Sequence, residues 1–184
     1  MGLRLSLCSM LLAAGLSAAT VKFDVTNLNI PNGGRTGPGG VEAQWQRYTY
    51  HFSDFTLMLD QELNIRFDPL LFGEIASGTA SPGFDVLLLQ PNQPLGAFGD
   101  LSALSTINQP ATTALFSVDA LYYGSGGPAP QPYFINQFND TGRFVTIESG
   151  FTTQLADTQV PEPATLALCG VALAALCLRR ATRG

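Results

Sequence analysis

His51 is the only histidine in this 184-residue chain, set between Tyr50 and Phe52. To act as a general base it would need a serine on a sharp strained turn, and the chain has no Gly-x-Ser-x-Gly. Asp60 and Glu62 flank Gln61, with Asp54 nearby. Two carboxylates facing each other across a cleft are the working parts of a glycosidase; the same oxygens, with loop carbonyls, could hold Ca²⁺. There is no Asp-x-Asp-x-Asp-Gly loop and no zinc set of His and Cys, so no metal ligand and no cofactor is expected. Tyr123-Gly124-Ser125-Gly126-Gly127 is glycine-rich but runs into prolines and lacks a phosphate-binding lysine. The aromatic residues Trp45, Tyr48, Tyr50, Tyr122, Tyr123 and Tyr133 offer apolar faces with polar tips, which is sugar-platform chemistry. Most of them alternate as core residues do; Tyr122 and Tyr123, beside the Gly/Pro loop, are the pair placed for a ligand. No catalytic residue is expected, and the body reads as non-enzymatic.

The elements that must carry these side chains are short β-branched and aromatic runs separated by Gly, Pro and Asn clusters. Val21–Val25 alternates as a first strand, and Gln44–Phe52 places Tyr48, Tyr50 and Phe52 on one face. Between them, Pro31–Gly40 can only be loop. Phe55–Leu59, Leu63–Phe67 and Ala114–Tyr123 read as further strands. Phe84–Leu89 is continuously apolar, as in a strand buried on both faces. Gly99–Ile107 reads as a short helix or a crossover, and Tyr133–Phe138 with Arg143–Glu148 as a hairpin around Asn139-Asp140-Thr141-Gly142. About eight strands at this spacing predict an all-β fold, an antiparallel β-sandwich of jelly-roll or Ig-like type. The sandwich should span 20–151, followed by a polar tether at 152–159.

Both ends are of a different character. Arg4 precedes the apolar run Leu5–Leu16, and Ser17-Ala18-Ala19 supplies the small residues that signal peptidase reads. The segment 1–19 is therefore expected to be a helical signal peptide cut between Ala19 and Thr20. At the other end, Val160-Pro161-Glu162-Pro163 leads into Ala164–Leu178, fifteen residues without a charge, and then Arg179, Arg180 and Arg183. The prolines hold the box extended, the apolar segment 164–178 should enter lipid as a helix, and the arginines should stay cytoplasmic. That run is short for a permanent span, which takes about 17–25 residues. With both ends removed, about 140 residues remain, enough for one domain with a proper core. They contain no cysteine, since Cys8, Cys169 and Cys177 lie in the terminal segments. Five bases stand against thirteen acids, a net charge of −8 that argues against nucleic acid as a partner.

The tail at 160–184 resembles the sorting signal of PEP-CTERM proteins of Gram-negative bacteria, through Val160, Pro161, Glu162, Pro163, the apolar run, and Arg179, Arg180 and Arg183. The resemblance implies recognition and cleavage by an exosortase, a membrane protease-transpeptidase. It also implies a transient stay in the inner membrane, delivery to the cell surface or extracellular matrix, and an association with exopolysaccharide. Phe55–Phe72, with Leu63-x-Ile65-x-Phe67-Asp68-Pro69-x-Leu71-Phe72, is similar to the strand-plus-turn of cohesin-like and Ig-like bacterial sandwiches. The expected function is that of an exported, non-enzymatic envelope or matrix protein. Carbohydrate or protein binding is the alternative, and carboxylate-based glycoside hydrolysis stands third.

Overall fold

A computed structural model describes residues 18–107 and 111–155. The signal segment up to Ser17, the box Val160–Pro163, the apolar run 164–178 and the terminal arginines lie outside the described residues. Among the described residues no helix is long and apolar enough to cross a membrane.

The body is all-β, with ten strands in two five-stranded sheets. The first sheet holds β1 (Thr20–Asn27), β2 (Gln44–Ser53), β4 (Phe72–Ala80), β7 (Ala114–Tyr122) and the two-residue β10 (Thr153–Gln154), in the order β10-β1-β2-β7-β4. The second holds β3 (Gln61–Phe67), β5 (Phe84–Leu89), β6 (Gly99–Ser105), β8 (Pro132–Phe138) and β9 (Phe144–Phe151), in the order β5-β6-β3-β8-β9. Every ladder is antiparallel except β1–β10.

Strand alternation decides which side chains meet between the sheets. On β2 the even positions Tyr48, Tyr50 and Phe52 are buried, so Trp45, Arg47, Thr49 and His51 point the other way. On β3 the odd positions Leu63, Ile65 and Phe67 enter the core, which leaves Glu62, Asn64 and Arg66 on the far face. One hydrophobic cluster contains residues of both sheets. Rings cross between them: Phe67 of β3 meets Phe72 of β4 edge-on at 5.1 Å, and Phe84 of β5 meets Phe116 of β7 at 5.2 Å. Such pairs add about 0.5–1.5 kcal/mol each beyond their burial, so these contacts fix how the sheets stack.

Several sequence expectations need correction. Phe55–Leu59 is not a strand; only Leu57 bridges, to Ala111, because Asp54 and Asp60 both take left-handed backbone angles that break an extended run. Phe84–Leu89 is not buried on both faces but forms the edge strand β5, its exposure alternating and Leu87 58% exposed. Gly99–Ile107 is neither helix nor crossover. It contains β6, whose small residues Gly99, Ser102, Ala103 and Ser105 sit between β5 and β3. β4 went unread because Gly73, Ala76, Ser77 and Gly78 carry almost no strand propensity. The strand is held instead by Phe72 and Ile75 in the core and by its ladder to β7. Finally, Thr152–Gln154, expected to open a tether, belong to the fold as the crossing from β9 to β10.

Candidate functional site

A concave surface lies where β1 hands over to β2. Leu28 N–H donates to the Trp45 carbonyl at 3.0 Å, extending the β1–β2 ladder by one bond. Asn29 then turns left-handed at φ 52°, a conformation asparagine tolerates better than most residues. Asn32 clasps the loop: its Nδ2 donates to the Ala43 carbonyl at 2.7 Å and to Glu42 Oε1 at 3.2 Å, while its Oδ1 accepts from Gly34 N–H at 2.8 Å. The returning limb is pinned by an Arg35–Glu74 ion pair to β4. The result is a cavity of about 390 Å³ between the two limbs, with Asn27, Asn29, Ile30, Glu42, Gln44 and Trp45 in its wall.

Tyr122 and Tyr123, expected to face a ligand, are used otherwise. Tyr122 is only 4% exposed, its ring lies 5.4 Å from that of Phe72, and its hydroxyl donates to the Gly127 carbonyl at 3.0 Å. It is a core residue, which corrects the ligand assignment. Tyr123 is half-buried and lies across Gly37 and Gly73; a Cβ at Gly73 would fall 1.9 Å from the Tyr123 hydroxyl. These glycines let the β1–β2 loop close over β4, and Tyr123 is the filler. Trp45 was readable as the better candidate, since its odd position on β2 sets it opposite Tyr48 and Tyr50.

The carboxylates expected to pair across a cleft are separated by their surroundings. Asp60 is exposed in a left-handed turn. Glu62 is buried on the outward face of the second sheet, accepting from Ser102 Oγ and from Asn136 Nδ2, the latter at 2.9 Å. Asp54 is exposed, and the hydroxyls of Thr20 and Ser53 hold its carboxyl below the usual range. His51 Nε2 lies 2.9 Å from Asp24 Oδ2, with both side chains more than 40% exposed and no hydroxyl bonded to the ring among the described residues. No three His, Cys, Asp or Glu side chains converge among the described residues.

Sequence reasoning missed a polar strip beside Glu62. Asn64 and Ser102 are buried next to Asp100, and Arg66 Nε stands 3.6 Å from Asp100 Oδ1 with its guanidinium 4.5 Å over the Phe134 ring. Burial pushes the Asp100 carboxyl up, outweighing the nearby Arg66 charge. Alternation along β3 marks Glu62, Asn64 and Arg66 as one face, but their partners on β6 lay in the stretch read as helix or crossover.

Residues 159–181 match the PEP-CTERM protein-sorting motif. Val160, Pro161, Glu162, Pro163, Arg179 and Arg180 fall inside the match, and Arg183 lies just beyond it. No curated protein and no solved structure matches the chain.

Proposed function

We propose that this chain, which carries a PEP-CTERM protein-sorting motif, is an exosortase-processed envelope or matrix protein whose β-sandwich body works by binding rather than catalysis. The motif at 159–181 is the observation that carries the reading, since it implies an extracellular protein targeted by an exosortase. Its parts fit that handling. In this reading Pro161-Glu162-Pro163 is the stretch an exosortase would read, and the charge-free run 164–178 would hold the chain in the inner membrane until it is cut. Arg179, Arg180 and Arg183 keep the end from being pulled through. At the other terminus, signal peptidase would cut between Ala19 and Thr20. Exopolysaccharide is the surrounding such a protein would meet.

The strand order supports an Ig-like sandwich over a jelly roll. β1-β2-β7-β4 follows the A-B-E-D order of an Ig-type sheet and β3-β8-β9 the C-F-G order, with the β5–β6 hairpin added beside β3. The non-enzymatic reading is supported by the separation of the carboxylates: Glu62 is held by Ser102 and Asn136, while Asp60 stands exposed in a turn.

The test is processing. In the producing cell, Glu162→Ala or deletion of 179–184 should leave unprocessed protein in the inner-membrane fraction on a blot. Unchanged processing in both variants would overturn the sorting assignment.

A further inference from the structure

Ala19 is the last residue that a cut before Thr20 would remove, yet the folded body uses it. It is 7% exposed and belongs to the hydrophobic cluster that holds residues of both sheets. Its N–H donates to Glu148 Oε1 on β9, and its carbonyl accepts from the Tyr133 hydroxyl of β8 at 2.7 Å. Ala19 leads into β1 of the first sheet, whereas β8 and β9 belong to the second. Both of its backbone polar groups are therefore spent on the opposite sheet. One residue further out, Ala18 is exposed.

We infer that signal peptidase cuts between Ser17 and Ala18, so that Ala19 stays in the mature body as a tie between its two sheets. This rests on the export reading and shifts the cut proposed there two residues towards the N-terminus. The sequence rule permits both sites. Signal peptidase reads small residues at the first and third positions before the bond it cuts. Ser17 and Ala19 fill those positions for a cut before Thr20, and Gly15 and Ser17 fill them equally for a cut before Ala18. A cut before Ala19 would set Leu16 at the third position, and leucine is not small.

The fold distinguishes the two products. A body starting at Thr20 loses the bonds to Glu148 and Tyr133 together with a buried methyl group. Tyr133 has little room to adapt: it is 4% exposed, and its ring lies against Gly150, where a Cβ would fall 2.8 Å from the tyrosine hydroxyl. Burial, with Glu148 nearby, raises the pKa of that hydroxyl, which keeps its proton and its need for an acceptor. A body starting at Ala18 keeps all of these contacts. Hydrolysis of the Ser17–Ala18 amide consumes one water and leaves the carboxylate on Ser17. The new α-ammonium forms on Ala18, which is exposed, so the charge need not be buried.

The test is the first residue of the mature protein. Protein purified from the producing cell would be sequenced from its N-terminus, and Ala18-Ala19-Thr20-Val21-Lys22 is the expected start. A start at Thr20 would overturn the inference while leaving export intact; a chain still beginning at Met1 would overturn the export reading with it. Two variants separate the sites independently. In Ala19→Gln a cut before Thr20 should fail, because glutamine is not small, and precursor would accumulate. A cut before Ala18 should proceed and yield a body that melts several degrees lower, with glutamine in place of the buried methyl. Gly15→Phe leaves every residue of the body unchanged and sets a bulky ring at the third position, so the Ala18 start should be lost. Precursor accumulation in Ala19→Gln, or an Ala18 start at wild-type yield in Gly15→Phe, would each overturn the proposal.

Discussion

Asp100 shows how one side chain can set a pH dependence. Its Oδ1 is buried without a hydrogen-bond partner among the described residues, and Arg66, 47% exposed, stands at 3.6 Å. Desolvation of the carboxylate is the largest influence and raises its pKa in the folded protein. Below the unfolded value of about 3.9 both states are protonated and nothing is lost. As pH rises through the raised folded value, the unfolded chain releases its proton more readily, and the folded state loses stability. Asp100→Asn should therefore melt above the wild type near pH 7, with the difference closing towards about pH 4. The lost Arg66 partner offsets only part of this gain, because Arg66 is 47% exposed and stands at a loose 3.6 Å, and desolvation outweighs its charge. Melting curves across this range are the check; a difference that widens on acidification would contradict the assigned cause. The same scale explains what was legible at the candidate site. Trp45 faces away from Tyr48 by simple parity, whereas the burial of Tyr122 depends on Phe72, a residue of the strand the sequence pattern did not reveal.

At the scale of elements, legibility follows from how much of a strand's stability is local. β1, β2, β3, β7 and the β8–β9 hairpin carry aromatic or β-branched alternation, or a turn such as Asn139–Gly142, and they are read with small boundary errors. β4 and β6 are rich in Gly, Ala and Ser, and exist because β7 and β3 supply their ladders. β5 misled in the other direction, since an edge strand can expose Leu87 and Leu89 where a buried strand was expected. Thr152 is the clearest nonlocal case. It is fully buried where the chain leaves β9 in one sheet for β10 in the other. Its N–H donates to the Gln131 carbonyl at 2.8 Å. Its Oγ1 accepts from Gln131 N–H at 2.8 Å and donates to Gln131 Oε1 at 3.0 Å. Thr152→Val keeps the shape but strands a buried N–H, and should destabilise by about 1–3 kcal/mol, several degrees of melting temperature. Thr153→Val, one residue on and exposed, should leave the melt nearly unchanged. Equal effects from the two would mean that the crossing is not the pinned point.

For the molecule as a whole, the question is what holds an exported body together without crosslinks. Residues 18–155 contain no cysteine, although export leads to compartments where disulfides form freely. A body of this size buries roughly two-thirds of the surface its unfolded chain exposes, so packing can suffice. The core supports this, with Phe23, Tyr48, Tyr50, Phe52, Phe67, Phe72 and Phe116 all within 1% of complete burial and rings in contact across both sheets. Reductant should then leave the thermal midpoint of the body where it was. Secretion should likewise continue in cells lacking disulfide-forming enzymes, because residues 18–155 offer no cysteine to pair. Paired melts with and without dithiothreitol test this directly. A fall in midpoint on reduction would require a crosslink that these sheets have no residues to make, and it would locate the missing stability in the terminal segments.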